Sequence, residues 1–103
     1  MFNLCHFLKA EEESRLGTVL GNALPHLLAV SINGSDRGET IRAGKGQWIA
    51  PLDTGDFDLA GCLRLLRERG YTGPVGLQCY GITGDARDHL TRSMAAWRRL
   101  TQP

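Results

Sequence analysis

The sequence predicts an α/β fold built on parallel strands, and three observations predict it. Short apolar runs alternate with stretches whose apolar residues recur at helical spacing. One run, Leu27–Ile32, is apolar throughout except for Ser31, as suits a strand covered on both faces. The polar residues suited to chemistry stand just beyond such runs: Asn3 and His6 near the start, Ser31 to Arg37, and Gln78 after Pro74–Leu77. In parallel β/α proteins, side chains from the ends of several strands converge on one face.

The elements follow in order. Phe2–Cys5 reads as the first strand, and Lys9 to about Leu24 as a helix with Leu16, Val19, Leu20 and Leu24 on one stripe. Glu11, Glu12 and Glu13 suit the positive end of its dipole, Gly17 and Gly21 weaken it, and Pro25 ends it. Leu27–Ile32 is the second strand. Residues 33–55 turn to Gly, Asp, Arg, Lys and Thr, with Trp48 and Ile49 as apolar anchors, and predict a long loop leaving the ligand-binding end of that strand. Asp56 or Asp58 caps the next helix, whose stripe is Leu59, Cys62, Leu63 and Leu66, and Gly70 ends it. A turn at Tyr71–Pro74 leads to a third strand, Val75–Tyr80. Asp85 opens a last helix with Leu90, Met94, Trp97 and Leu100 inward and Arg98 and Arg99 against the C-terminal dipole.

Alternation of this kind gives a parallel sheet with right-handed crossovers. Three strands leave two edges and part of the helix layer uncovered. Residues 1–103 are therefore expected to form a single partial domain, the end of a larger fold, and to self-associate through the uncovered surface when isolated. No internal repeat, low-complexity tract or domain linker interrupts the chain.

Composition narrows the function classes. At 42% hydrophobic residues the 103-residue chain can bury a core without disulfides. Lys and Arg number 12 against 11 Asp and Glu, which gives no general attraction to nucleic acid or to an anionic membrane, so any anion site must be local. No apolar run approaches the ~20 residues of a membrane span and no signal-peptide pattern opens the chain, so the cytoplasm is the expected compartment. Cys5, Cys62 and Cys79 have no CxxC spacing and read as reduced thiols.

Four segments carry a family likeness: Asn3-Leu4-Cys5-His6, Val30-Ser31-Ile32-Asn33, Gly55-Asp56-Phe57-Asp58, and Gly70-Tyr71-Thr72-Gly73-Pro74-Val75-Gly76-Leu77-Gln78. Together they resemble the xylose isomerase-like TIM barrels described as sugar phosphate isomerases or epimerases. The likeness runs over nearly the whole chain and implies the last three β/α units of a (β/α)8 barrel. In such barrels these strand ends supply metal-binding carboxylate and imidazole. The resemblance puts the metal Asp on Asn3, the metal His on Ser31 and the last-strand Glu on Gln78, so all three ligand positions are degenerate here. It puts substrate-contacting groups on His6 and Arg37. A neutral amide is a poor ligand for a divalent ion, and Gln78 exchanges no proton near neutral pH.

Plainer readings stand beside these. His6 can be a hydrogen-bonded strand-end histidine, Asn3 and Gln78 can satisfy each other, and Arg37 can be a solvated charge. Asp36, Asp53, Asp56 and Asp58 suit turns and caps. Gly38–Lys45 is a near miss for a phosphate-binding loop, with wrong glycine spacing and no Ser or Thr after Lys45.

Two functions follow. The resemblance implies a sugar or sugar phosphate isomerase or epimerase, with manganese, magnesium or zinc in a full-length parent and substrate held by His6 and Arg37. The substitutions favour a non-catalytic carbohydrate-binding or structural barrel. For the isolated chain no cofactor, no catalytic residue and no turnover are expected, and sugar or sugar phosphate is the expected ligand, with no nucleic acid or membrane partner.

Overall fold

Three parallel strands stand side by side in the computed structural model, which describes residues 1–102. They are β1 (Phe2–Asn3), β2 (Val30–Ile32) and β3 (Val75–Leu77), in the order β1-β2-β3. Phe2 and Asn3 pair with Val30 and Ser31, and Val30, Ser31 and Ile32 pair with Val75, Gly76 and Leu77. Parallel pairing, adjacency and helical crossovers are as the alternation predicts. The sheet is open rather than a closed barrel, and β1 and β3 are its two outer strands.

Each strand is shorter than its apolar run. At the start, Asn3 ends β1 because its side-chain Oδ1 accepts the His6 backbone N–H at 3.0 Å, capping helix α1 (Leu4–Ala10) at once. His6 therefore lies in a helix rather than at a strand end. Leu4, Cys5, Phe7 and Leu8 are buried on that helix while His6 is exposed. The helix expected from Lys9 to Leu24 is two pieces. The chain is extended at Glu11, a 3-10 turn runs over Glu13–Arg15, and α2 covers Leu16–Ala23 before a second such turn at Leu24–His26, which contains Pro25. The glutamates thus serve the connection and not one long helix.

The segment after β2 is more ordered than a bare loop. An antiparallel bridge joins Gly34 and Ala50, and a short helix α3 (Gly38–Arg42) lies between them. Ala50 and Leu52, not Trp48 and Ile49, are its buried anchors; Trp48 packs against the core from a half-buried position. The Asp36 carboxylate gathers the loop by accepting the backbone N–H groups of Gln47 and Asp56. Gly55 adopts φ +107°, where a side chain would also run into the Ser35 carbonyl.

Helix α4 (Leu59–Glu68) is capped by Asp58, whose Oδ1 accepts from Gly61 N at 3.0 Å, while Asp56 is spent on the loop. Helix α5 (Ala86–Thr101) is capped by Asp85. Its buried residues are His89, Ser93 and Ala96, and Ser93 Oγ accepts the Leu52 N–H at 3.0 Å. The expected inward stripe needs correction: Leu90 and Met94 are 46% and 49% exposed, because they lie beside the outer strand β3 with no further strand to cover them. Trp97 and Leu100 do pack against the core.

Phe2, Val30 and Ile32 project into one cluster with Leu59, Cys62, Leu66 and Ala96, so the helices cover that sheet face. By strand alternation Asn3, Ser31 and Gly76 point to the other face. Among the described residues no helix is long and apolar enough to cross a membrane.

Candidate strand-end site

The fold brings together the three strand-end positions that sequence singles out. Asn3 Nδ2 lies 3.1 Å from Gln78 Oε1 and 3.5 Å from Ser31 Oγ. The orientation of the Asn3 amide follows from its cap, since only the carbonyl oxygen can accept the His6 N–H. The NH₂ group must then face Ser31 and Gln78. Accepting that donor turns the Gln78 NH₂ away from Asn3, and it leaves the Ser31 hydroxyl with its proton to give. The cluster thus presents the Gln78 NH₂ and the Ser31 hydroxyl as donors, and its oxygens are all neutral and each already accept one hydrogen bond.

Such a set lacks the negative charge that a divalent cation draws from its ligands. The metal implied by the family resemblance does not fit: the donor set is neutral, the Asn3 oxygen is spent on a helix cap, and an N–H points where an anionic oxygen would stand. Among the described residues no three His, Cys, Asp or Glu side chains cluster to hold a metal ion.

His6 stands one helical turn beyond Asn3, exposed, and its imidazole makes no hydrogen bond among the described residues. Arg37 is not brought to the cluster by any contact. Its Nε donates to Glu13 at 3.2 Å and its terminal nitrogen lies 3.5 Å from Glu39. Hydrogen bonding to Glu13, reinforced by both carboxylates' charge, raises the pKa of the guanidinium further. Glu13 also accepts from Gly38 N, so it ties the connection after β1 to the loop after β2. The Arg37 backbone N–H bonds Asp56, and that bond, with one from Thr40, holds the Asp56 carboxyl below its usual range.

Sequence reasoning missed two groups. Asn33 is fully buried; its Nδ2 donates to the Gly34 and Trp48 carbonyls, both at 2.7 Å, and its Oδ1 has no partner among the described residues. Its place two residues after Ser31 was the available signal, because strand period puts both on one face. Glu13 gave no such signal, since its role depends on a loop meeting it from 24 residues away. Of the cysteines, Cys62 is inert: burial pushes its thiol up to about 12.

Comparison with protein-family models, with curated proteins and with solved structures finds no match to this chain.

Proposed function

We propose that the chain forms the closing β/α units of a xylose isomerase-like (β/α)8 barrel whose strand-end site binds a sugar or sugar phosphate without a metal. The observation that carries this is the hydrogen-bonded set Asn3, Ser31 and Gln78, drawn from the ends of three adjacent parallel strands. The Gln78 NH₂ and the Ser31 hydroxyl are donors, and sugar hydroxyls, a sugar carbonyl and phosphate oxygens are their acceptors. His6, whose imidazole has no hydrogen bond among the described residues and which lies one turn from Asn3, supplies a further polar group at the rim. Arg37 contributes to substrate only if it leaves Glu13, so its primary work is to tie two loops.

Isomerase or epimerase chemistry is not proposed for this chain by itself. Proton transfer next to a carbonyl needs a group that titrates near neutrality, and Gln78 and Asn3 exchange none. Saturation-transfer NMR against aldoses, ketoses and their phosphates tests the reading. We expect weak binding, on the order of millimolar, lost on Gln78→Leu and weakened by Ser31→Ala. Failure of every sugar to bind, or binding indifferent to both substitutions, would overturn it.

A further inference from the structure

A separate cavity of mixed polar and apolar lining lies in the helix layer near the start of β3, at the opposite end of that strand from Gln78. On α4, Ala60, Leu63, Arg64 and Arg67 follow at three- and four-residue intervals and share one face. Trp97, Leu100 and Thr101 do the same on α5. The two stripes bound a cavity of about 410 Å³ that Tyr71, Thr72 and Val75 close from the turn before β3.

Its charge is one-sided. Among the described residues no carboxylate lines it and neither Arg64 nor Arg67 is in an ion pair, whereas Arg37 and Arg92 each hold carboxylates. In a chain of net charge +1 this is a local concentration, not a general basic surface. Across the cavity from the α4 stripe stand Trp97 and Leu100 of α5, and Leu63 adds apolar surface on the α4 side. The Tyr71 hydroxyl donates to Pro74 O at 2.7 Å, which fixes its ring at the margin.

We propose that this cavity binds a nucleoside phosphate, with the base against Trp97 and Leu100 and the phosphate on Arg64 and Arg67. Size selects among anions. Small-molecule sites run from about 300 to 1,000 Å³, so inorganic phosphate would leave most of this one empty. A peptide helix, about 10 Å across, would need a groove longer than the single α4–α5 crossing. Planar guanidinium suits both the phosphate, by paired N–H bonds, and a ring, by stacking.

Adenosine diphosphate, titrated into the full ¹⁵N-labelled chain, tests the site, because Trp48 and Trp97 give two indole N–H signals. We expect a saturable shift of the Trp97 signal with Trp48 unmoved, and a loss of affinity of roughly tenfold or more in Arg64→Ala/Arg67→Ala, which removes two charge-assisted contacts. Arg98→Ala/Arg99→Ala removes equal charge from residues that do not line the cavity and should leave binding unchanged. Both pairs are exposed helix positions where Ala favours the helix, so the comparison does not depend on rescuing a fold. No Trp97 shift, or equal weakening by both double variants, would overturn the site. Displacement by inorganic phosphate as readily as by the nucleotide would overturn the base-binding half of the assignment.

Discussion

Asn3 and Gln78, 75 positions apart, hydrogen-bond at 3.1 Å although β2 separates their strands. Two strand spacings are about 9.5 Å, so the two side chains must arch over the β2 position that lies between them. That position is Ser31, whose hydroxyl sits 3.5 Å beneath the shared donor. A larger residue at 31 would fill the space the bridge crosses. The three strand-end residues are thus mutually fitted, with a small side chain in the middle and a neutral donor and acceptor on either side.

The bridge and the helix cap share one residue, which gives a graded expectation. Asn3→Leu removes both and should lower stability by about 1–2 kcal/mol, the usual size of a lost cap. Asn3→Asp keeps the cap and favours the helix dipole but loses the donor to Gln78, so it should cost less. Urea unfolding of the two variants decides; equal losses would mean that the cap contributes nothing.

The parallel order and the strand-end convergence were legible because strand and helix periods differ, and Leu27–Ile32 and Leu59–Leu66 display them plainly. The immediate helix after Asn3 was not. A strand and a buried helical turn look alike over Phe2–Leu8, and what decides is a side-chain cap visible only in three dimensions. Asp56 and Asp58 were indistinguishable as caps for the same reason: Asp56 is claimed by Arg37 and Thr40, a meeting of distant loop segments. Leu90 and Met94 are exposed, against the inward stripe that their spacing predicts, because β3 is an outer strand, and a periodicity does not show where a sheet stops.

Acid should loosen the loop after β2. Asp53 is held below its ordinary value by the bidentate hydrogen bonds of Arg92, at 2.8 and 2.9 Å, and Asp56 by the Arg37 backbone N–H. Both folded-state values are depressed, so the stability these carboxylates contribute is complete above the unfolded value, ~4. It is lost as the pH falls through the folded values. Both groups are exposed, so the effect is modest and, for Asp53, weakened by salt. Thermal unfolding between pH 7 and pH 3 should show the loss, with a smaller loss in Arg92→Met. An Arg92→Met chain with the parent's full acid sensitivity would contradict the assignment.

The free edge of β3 should make the isolated chain self-associate. Leu77, Leu90 and Met94 are all more than a third exposed and line one apolar cavity of about 300 Å³ beside an unpaired strand edge. Such edges and patches drive association. Sedimentation should report a mass that rises with concentration, and Leu77→Lys with Leu90→Glu should return the chain to a monomer. A sharp thermal transition of the unmodified chain, monomeric at every concentration, would rule this out.

Metal affinity should be weak in the unmodified chain and raised by installing the ligand types that the proposed barrel would carry at these strand ends. Asn3 turns its amide N–H group toward the cluster, Gln78 is neutral, and Ser31 is a hydroxyl, so these three positions supply no anionic ligand. Asn3→Asp, Ser31→His and Gln78→Glu together would place two carboxylates and one imidazole there, the ligand types a divalent ion takes. In this chain those groups lack any ligand from other strands, so three donors bind only moderately; in a longer barrel the same changes should act more strongly. The carboxylates must be ionised and the imidazole neutral to bind, so affinity in the triple variant should fall as the pH drops below about 6. Calorimetric titration with manganese and zinc at neutral and mildly acid pH measures both effects. One equivalent bound tightly by the unmodified chain, or a triple variant with no gain, would show that these strand ends are not degenerate metal positions.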